Sequence, residues 1–407
     1  MTPTDRPILR KFLLEHRLQA ENFLAELVRI PSDNPPGDCE PHARRAAALL
    51  EHMGLAVERH TVPAELVRQN GLISITNLVV RRRFGDGPVV ALNAHGDVVP
   101  PGEGWTHDPY GAEINDGWLY GRGAAVSKSD FSTFAYALMA LDHAGTKLRG
   151  AVELHFTYDE ETGGALGPAW LLAEGISKPD FAICAGFSYG VVNAHNGCLH
   201  LEVEVTGRSA HAAKPAAGID ALEAATHILA ALYDWKKGLA HRSSKIAGIG
   251  APQLTIGLIA GGINTNVVPD RVVFRLDRRI VPEEQPEAVE QELRGVIEAA
   301  ATPGAAVEIR RIMLATPLTP SPGARELSDI LCAHATRVMG EKITVGGVPL
   351  YTDARHYAAA GVPVVLYGAG PHSIEEANAH RADERLPLAD LHRATEVLAL
   401  TLADFLA

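Results

Sequence analysis

Two short stretches of the 407-residue chain carry side chains of the kinds that hold metals or move protons, and each follows an apolar run. The first is His95-Gly96-Asp97, which closes the run Pro88–Asn93, the pattern of a strand buried on both faces. Residues two apart on extended backbone point to the same side, so the imidazole and the carboxylate can lean into one crevice. A neutral imidazole binds zinc, cobalt or manganese well, and a nearby carboxylate can fix a ring tautomer. The second stretch is Asp159-Glu160-Glu161, at the end of AVELHFTY. Three adjacent carboxylates repel one another, and a bound cation would relieve the repulsion. Taken singly, an HxD is more often a satisfied loop histidine, and an acid triplet is more often a solvated loop.

The elements that must position these residues can be read from apolar spacing. Helical periodicity runs from about Pro7 to Arg29, then over Cys39–Met53, Phe131–Ala144 and Ala169–Glu174. LAVERHTV, LISITNLVVRRR, the run before His95, AVELHFTY and FAICAG read as strands. This order predicts an α/β fold: a mostly parallel, helix-flanked sheet, with ligand sites at the strands' carboxyl ends. After Asn193-Ala194-His195-Asn196-Gly197 the pattern changes to the clean alternation of LHLEVEVTG. A helix over Ile219–Leu239, two strands, a helix over Glu287–Ala300 and AVEIRRIML complete a β-α-β-β-α-β order. That order fits a ferredoxin-like α+β insertion. The expected division is 1–195 with 314–407 as one domain and 196–313 as the inserted one. Helices over Ala324–Met339 and Leu388–Phe405 return the chain to the first.

Composition narrows the partners. A net charge of -12 argues against nucleic acid or an anionic membrane surface. The apolar runs are too short to span a bilayer, and the charged, amphipathic start is not that of a signal peptide. Cys39, Cys184, Cys198 and Cys332 are widely spaced with no CxxC pair, as expected in a reducing compartment, so a cytoplasmic location is expected.

The run DVVPPGEGWTHDPYGAEINDGWLYGRGAA, with DEETGG further along the chain, resembles the co-catalytic metallohydrolases. These are the aminoacylase, acetylornithine deacetylase, succinyl-diaminopimelate desuccinylase and glutamate carboxypeptidase family. The likeness extends from IPSDNPPGD to AHRADE. It implies a metal-dependent hydrolase cleaving the amide-type C–N bond of a small carboxylate-bearing molecule. It also implies a phosphorylase/hydrolase-like catalytic domain and a lid that dimerises. By resemblance Glu160 is the general base that takes a proton from the attacking water, Asp97 is catalytic, and Glu161 and His380 are metal ligands with His95. His372, in GAGPHS, is a weaker candidate. His211, in TGRSAHAAKP, resembles the lid histidine that reaches the partner subunit's site and polarises the scissile carbonyl. Asn266 and Arg279 resemble lid residues that contact substrate, and Arg355, in YTDARHY, resembles a residue near it. Lid residues acting in trans imply a homodimer.

Two positions depart from the family. Where its members read GRGxxD, with an aspartate bridging two metals, this chain has Val126. Where they carry an acid after the FAICAG-like strand, it has Phe187. Three outcomes are open. His95, Glu161 and His380 can converge on one divalent metal (zinc, cobalt or manganese), one per chain. Asp130, one helical turn after Val126, can replace the bridge and serve as a ligand. Or the chain binds no metal and is a non-catalytic ligand-binding relative, which the presence of Asp97, Glu160 and His211 argues against. A mononuclear aminohydrolase acting on an aromatic amine is the alternative enzyme.

Overall fold

The computed structural model describes residues 5–145 and 147–407. The chain forms two compact units. One comprises residues up to Asn193, Pro320–Val345 and Thr352–Ala407; the other comprises Ala194–Thr319 and Gly346–Tyr351. The second unit thus extends past the expected 196–313 on both sides and takes a further hexapeptide.

The first unit is built on a sheet ordered Val57–Thr61, Thr76–Arg83, Ala151–Thr157, Val89–His95, Phe181–Cys184 and Val364–Leu366. Val191–His195 and Val345–Val348 come next, where the chain leaves and re-enters the unit. The four strands from Ala151–Thr157 to Val364–Leu366 are parallel, and their neighbours on either side are antiparallel. The sheet is therefore mixed, with a parallel centre. Val90, Ala91, Leu92, Leu154 and Ile183 in that centre are fully buried, as a strand covered on both faces requires. His95 pairs with Thr157 in parallel register. The residues just past these two strands, Asp97 on one and Asp159–Glu161 on the other, therefore emerge at the same carboxyl edge.

The Lys128–Ala144 helix lies against this sheet and buries Phe131, Phe134 and Leu138, with Phe131 stacked on Phe156 at 4.0 Å. It ends at Gly145 in the left-handed conformation. The expected helix from Pro7 to Arg29 is two helices, Asp5–Glu15 and Arg17–Val28, broken at His16. Ala64–Gln69 adds a short helix between the first two strands, where six residues are too few for a periodic signal. Among the described residues no helix is long and apolar enough to cross a membrane.

In the second unit the strands Leu254–Gly261, Arg271–Ile280, Gly197–Thr206 and Ala306–Ala315 are neighbours in that order, all antiparallel. Helices Ala221–Lys236 and Pro286–Ala299 complete the ferredoxin-like unit. Leu199, Leu201, Val203 and Val205 join Ile228, Leu232, Leu293 and Ile297 in one apolar cluster. His200, Glu202 and Glu204 alternate with them and point to the other face, where Glu202 pairs with Arg275 and Arg310.

The strand that delivers the acid triplet is held by a polar chain on one face. Glu153 accepts from Arg81 at 2.6 Å and Ser177 at 2.5 Å, and lies 3.1 Å from His155 Nε2. His155 Nδ1 is 2.7 Å from the Tyr357 hydroxyl. Burial works to raise the Glu153 pKa, but its bonds to His155 and Ser177 and the charge of Arg81 prevail and hold it at about 2. A carboxylate depressed below its ordinary value of 4.5 adds stability above that pH, which is lost as pH falls through the folded value. Glu153→Gln should therefore lower the denaturation midpoint at pH 7 and leave it nearly unchanged near pH 2, so the two proteins' stability curves converge on acidification. Parallel curves in urea titrations from pH 7 down to pH 2 would contradict this.

Candidate functional site

His95 and Asp97 lie on either side of Gly96, where a side chain would run into the Tyr158 ring and His42. His95 Nδ1 sits 2.9 Å from the Asp97 carbonyl oxygen, so that nitrogen carries the proton and Nε2 is turned to the site. Nε2 is 3.8 Å from Glu160 Oε2. Burial disfavours a charged ring, but Glu160, Asp97 and Glu161 outweigh it and hold the His95 pKa well above 6.5.

The Asp97 carboxylate, fully buried, is an organiser of the turn at the end of the neighbouring strand. Its Oδ1 accepts from the Glu160 amide at 3.3 Å, and its Oδ2 accepts from the Glu161 amide at 3.1 Å and from Asn34 Nδ2 at 2.9 Å. Those bonds fix the single 3₁₀ turn Glu160–Thr162 and aim its two side chains. Ligand atoms of His95, Glu160 and Glu161 all lie within 4.8 Å of one another. His380 Nε2 lies 3.2 Å from Glu161 Oε1, on backbone of positive φ (60°). The hydrogen bond and charge of Glu161 raise the His380 pKa. Burial raises the Glu160 pKa to about 7, and Asp159 behind it likewise reaches about 7.

These residues fit a cation. Glu161 Oε1 is buried, its near partner is the His380 imidazole at 3.2 Å, and a second imidazole, His95, stands across the cluster. Two imidazoles and one carboxylate are the donor set of zinc, cobalt or manganese centres that keep open positions.

A separate buried ion pair holds the GRGAAV loop. Glu384 Oε1 accepts from the amides of Gly123, Ala125 and Val126, each at 3.1 Å, and Oε2 accepts from Arg122 at 2.6 Å. Arg122 and Glu384 are almost wholly excluded from solvent.

The two apolar positions stand beside this cluster's supports. Val126 is half-buried with its amide bound to Glu384. Phe187 rests on Gly370, in a turn tied to 368–370 by Ser188, whose hydroxyl donates to Gly368 and accepts from the Gly370 amide. Asp130 is turned to the same loop. Its Oδ1 accepts from the Ala369 amide at 2.8 Å, and it lies so close to Gly368 that no side chain could stand there. Burial pushes its pKa up, against the opposing bonds from the Ala369 and Gly186 amides and the charge of His95. Neither Asp130 nor His380 is among the ligand atoms that all lie within 4.8 Å of one another; His380 meets that group at Glu161.

The remaining expected residues fall elsewhere. Arg355 donates to the Gly163 carbonyl beside the acid triplet, as does His356 at 2.9 Å. His372 is exposed, stacked on Tyr189 and 3.3 Å from Glu341. His211, Asn266 and Arg279 belong to the second unit. His211 is exposed and its Nδ1 accepts from the Ala213 amide; the Asn266 carbonyl accepts from Ala212; Arg279 Nε donates to Asp277 at 3.0 Å. Asn34 and Glu384 escaped the sequence reading. Each lies within a stretch already singled out, IPSDNPPGD and AHRADE, but neither an amide that donates to a distant carboxylate nor a carboxylate that accepts backbone amides leaves a spacing signal.

Three comparisons bear on this geometry. The sequence profile described as Peptidase family M20/M25/M40 matches residues 91–404. A succinyl-diaminopimelate desuccinylase of Gluconacetobacter diazotrophicus is 31% identical over 77% of this chain and 80% of its own length. An acetylornithine deacetylase of Proteus mirabilis is 29% identical over 88% of this chain and 87% of its own. Among solved structures, an M20 family metallo-carboxypeptidase from Sulfolobus solfataricus has the same fold, with a TM-score of 0.77 at 17% identity, covering 95% of this chain and 98% of that one.

Because Glu384 satisfies three amides and the Arg122 guanidinium without solvent, removing it strands the amides and leaves the guanidinium with the Pro101 carbonyl but no counter-charge. Glu384→Ala should cost about 3–5 kcal/mol of folding stability, and pairing it with Arg122→Met should recover part of the loss. Urea unfolding of the two single variants and the double variant measures this; strictly additive losses would show that the pair is not coupled.

Proposed function

We propose, for a chain that belongs to Peptidase family M20/M25/M40, that its reaction is the removal of an acyl group from the nitrogen of a small carboxylate-bearing substrate. It is a hydrolase of C–N bonds. The observation that carries the narrower reading is the convergence of His95, Glu160, Glu161 and His380 at one edge of the parallel sheet. His95, Glu161 and His380 would hold a divalent metal, which supplies a Lewis acid that polarises the acyl oxygen and acidifies the attacking water.

Glu160 then takes the proton from that water. Its position supports the role: adjacent to a ligand in sequence, buried, and with a pKa raised toward neutrality. The same carboxyl returns the proton to the leaving nitrogen. Asp97 keeps the Glu160–Glu161 turn in place through two amide bonds. On this reading His211 polarises the carbonyl, while Asn266 and Arg279 receive the substrate's polar end, Arg279 by a bidentate grip on a carboxylate. Arg355 acts through the Gly163 loop. The chain would carry one metal, since apolar Val126 and Phe187 stand at two positions where relatives carry carboxylates and Asp130 is engaged with Ala369. The half-buried Phe187 ring also favours an aromatic or otherwise apolar group on the substrate, including an aromatic amine.

A homodimer working in the cytoplasm completes the proposal. Leu254–Gly261 is an edge strand, and Leu258, Ile259 and the nearby Ile263 are 61%, 53% and 78% exposed. An open edge with exposed apolar side chains is suited to pairing with a second copy. The double substitution Leu258→Lys with Ile259→Lys should shift the protein from dimer to monomer in light scattering; an unchanged mass would remove this edge as the interface.

The chemical proposal is tested by Glu160→Gln. It should lower kcat by roughly 10²–10⁴-fold on N-acyl amino acids. By elemental analysis, Glu160→Gln should leave the divalent metal content unchanged, and Glu161→Gln should lower it by about one metal per chain. Full turnover in Glu160→Gln would eliminate Glu160 as base, and a loss of two metals per chain in Glu161→Gln would eliminate the single-metal centre.

A further inference from the structure

The second unit contains three side chains, Cys198, His200 and Asp277, that the reaction above does not use. On the face of its sheet opposite the apolar cluster, Cys198 and His200 stand two apart on Gly197–Thr206. Asp277 and Arg279 stand two apart on the antiparallel neighbour Arg271–Ile280. The register sets His200 opposite Asp277 and Cys198 opposite Arg279, so the four side chains form a square on one face. Two of its corners converge on a single atom. Asp277 Oδ2 is 2.8 Å from His200 Nε2 and 3.4 Å from Cys198 Sγ. The other oxygen, Oδ1, accepts from Arg279 Nε at 3.0 Å. Sulfur, nitrogen and oxygen all lie within 4.8 Å of one another.

We infer that Cys198, His200 and Asp277 form a second metal site, selective for a borderline-soft divalent cation such as zinc or cobalt. One thiolate, one imidazole and one carboxylate are a three-ligand set that leaves the fourth tetrahedral position to water. Calcium or magnesium would require several oxygen ligands, and a thiolate and an imidazole suit neither. Only a small adjustment is needed. Around zinc, nitrogen and oxygen ligands stand about 3.3 Å apart, so His200 and Asp277 would separate by roughly half an ångström.

Arg279 does not compete for the ligand atom. It holds Oδ1, the oxygen not shared by the thiol and the imidazole, and so fixes the plane of the carboxylate with Oδ2 presented to the cation. On binding, the Cys198 thiol proton is released to solvent, and the His200 ring keeps its proton on Nδ1 so that Nε2 is the ligand. The cation enters from the exposed side of the square: the His200 and Asp277 side chains are 35% and 27% exposed, whereas Cys198 is fully buried. In register beyond the square lie Met313 next to His200 and Thr255 next to Asp277, neither of which brings a charge.

This site does not depend on the proposed reaction, and its test does not read activity. The catalytic cluster contains no sulfur ligand, so a thiolate-to-cobalt charge-transfer band in the near ultraviolet reports only on a site with cysteine. Metal-stripped full-length protein titrated with Co²⁺ should develop that band to about one equivalent. Glu161→Gln should keep it, Cys198→Ser should abolish it, and His200→Ala should weaken binding by about tenfold or more. No thiolate band in the wild-type protein at saturating Co²⁺ overturns the inference, as does a band that survives in Cys198→Ser. Should circular dichroism show Cys198→Ser unfolded, the decision passes to His200→Ala, where an unchanged Co²⁺ affinity overturns it.

Discussion

Buried negative charge is the constraint that the site's neighbourhood must solve. Asp97, Asp159, Glu160, Glu161 and Asp353 gather at one edge of the central sheet, and Asp97, Asp159 and Asp353 are almost fully excluded from water. Two like charges 4 Å apart repel by about 4 kcal/mol even at an effective dielectric constant of 20. The chain resolves this in different ways. Asp97 is surrounded by donors, two amides and Asn34. Asp159 and Glu160 move toward the neutral form through burial, and Asp353 moves further, driven first by burial and then by the charge of Glu160. Glu161 turns a buried oxygen to the His380 imidazole, 3.2 Å away. A cation there would meet an oxygen that no backbone amide holds.

The same chemistry builds the scaffold. The loops around the cluster are each held by a carboxyl group from a distant segment that accepts backbone amides. Asp97 holds the Glu160–Thr162 turn, Glu384 holds 123–126, and Asp130 holds 368–370. Asp159 does the same locally for Leu166. A carboxylate is suited to this because it accepts several N–H groups at once, each worth roughly 1.5–3 kcal/mol when charged. Loop geometry near the site is therefore fixed by electrostatics on the loops, while the parallel register of His95 with Thr157 supplies their common origin.

That division explains what could be read from the sequence. Apolar runs revealed the central strands and the Leu388–Phe405 helix, because burial on both faces or on one stripe leaves a period. The alternation of LHLEVEVTG marked where the second unit begins, although its end and the Gly346–Tyr351 excursion did not show, since a short crossing between units has no pattern. HxD, DEETGG and AHRADE marked His95, the acid pair and His380 as residues to bring together. Glu384 was invisible because its partners are backbone amides, which every residue has, and Asn34 because its partners, Asp97 and Thr162, are far away in sequence. The square of Cys198, His200, Asp277 and Arg279 was hidden for another reason. Its i, i+2 spacings are those of any strand, and only the register between two strands reveals it.

Asp130 shows how position alone can mislead about a carboxyl group's use. One turn along a helix from Val126, it stands where a bridging ligand could be supplied. Helical geometry sets only the direction of the side chain; the surroundings decide its charge. Here Gly368 brings backbone against the group, the Ala369 amide takes one oxygen, and burial favours the protonated acid. Because burial favours the protonated form, coordination through the other oxygen, Oδ2, would first require losing a proton. With Val126 and Phe187 apolar and Asp130 bound to the Ala369 amide, the carboxyl groups nearest His95 and His380 are those of Asp97, Glu160 and Glu161. Asp97 is taken up by the amides of the turn it holds, which leaves the two glutamates to face the imidazoles.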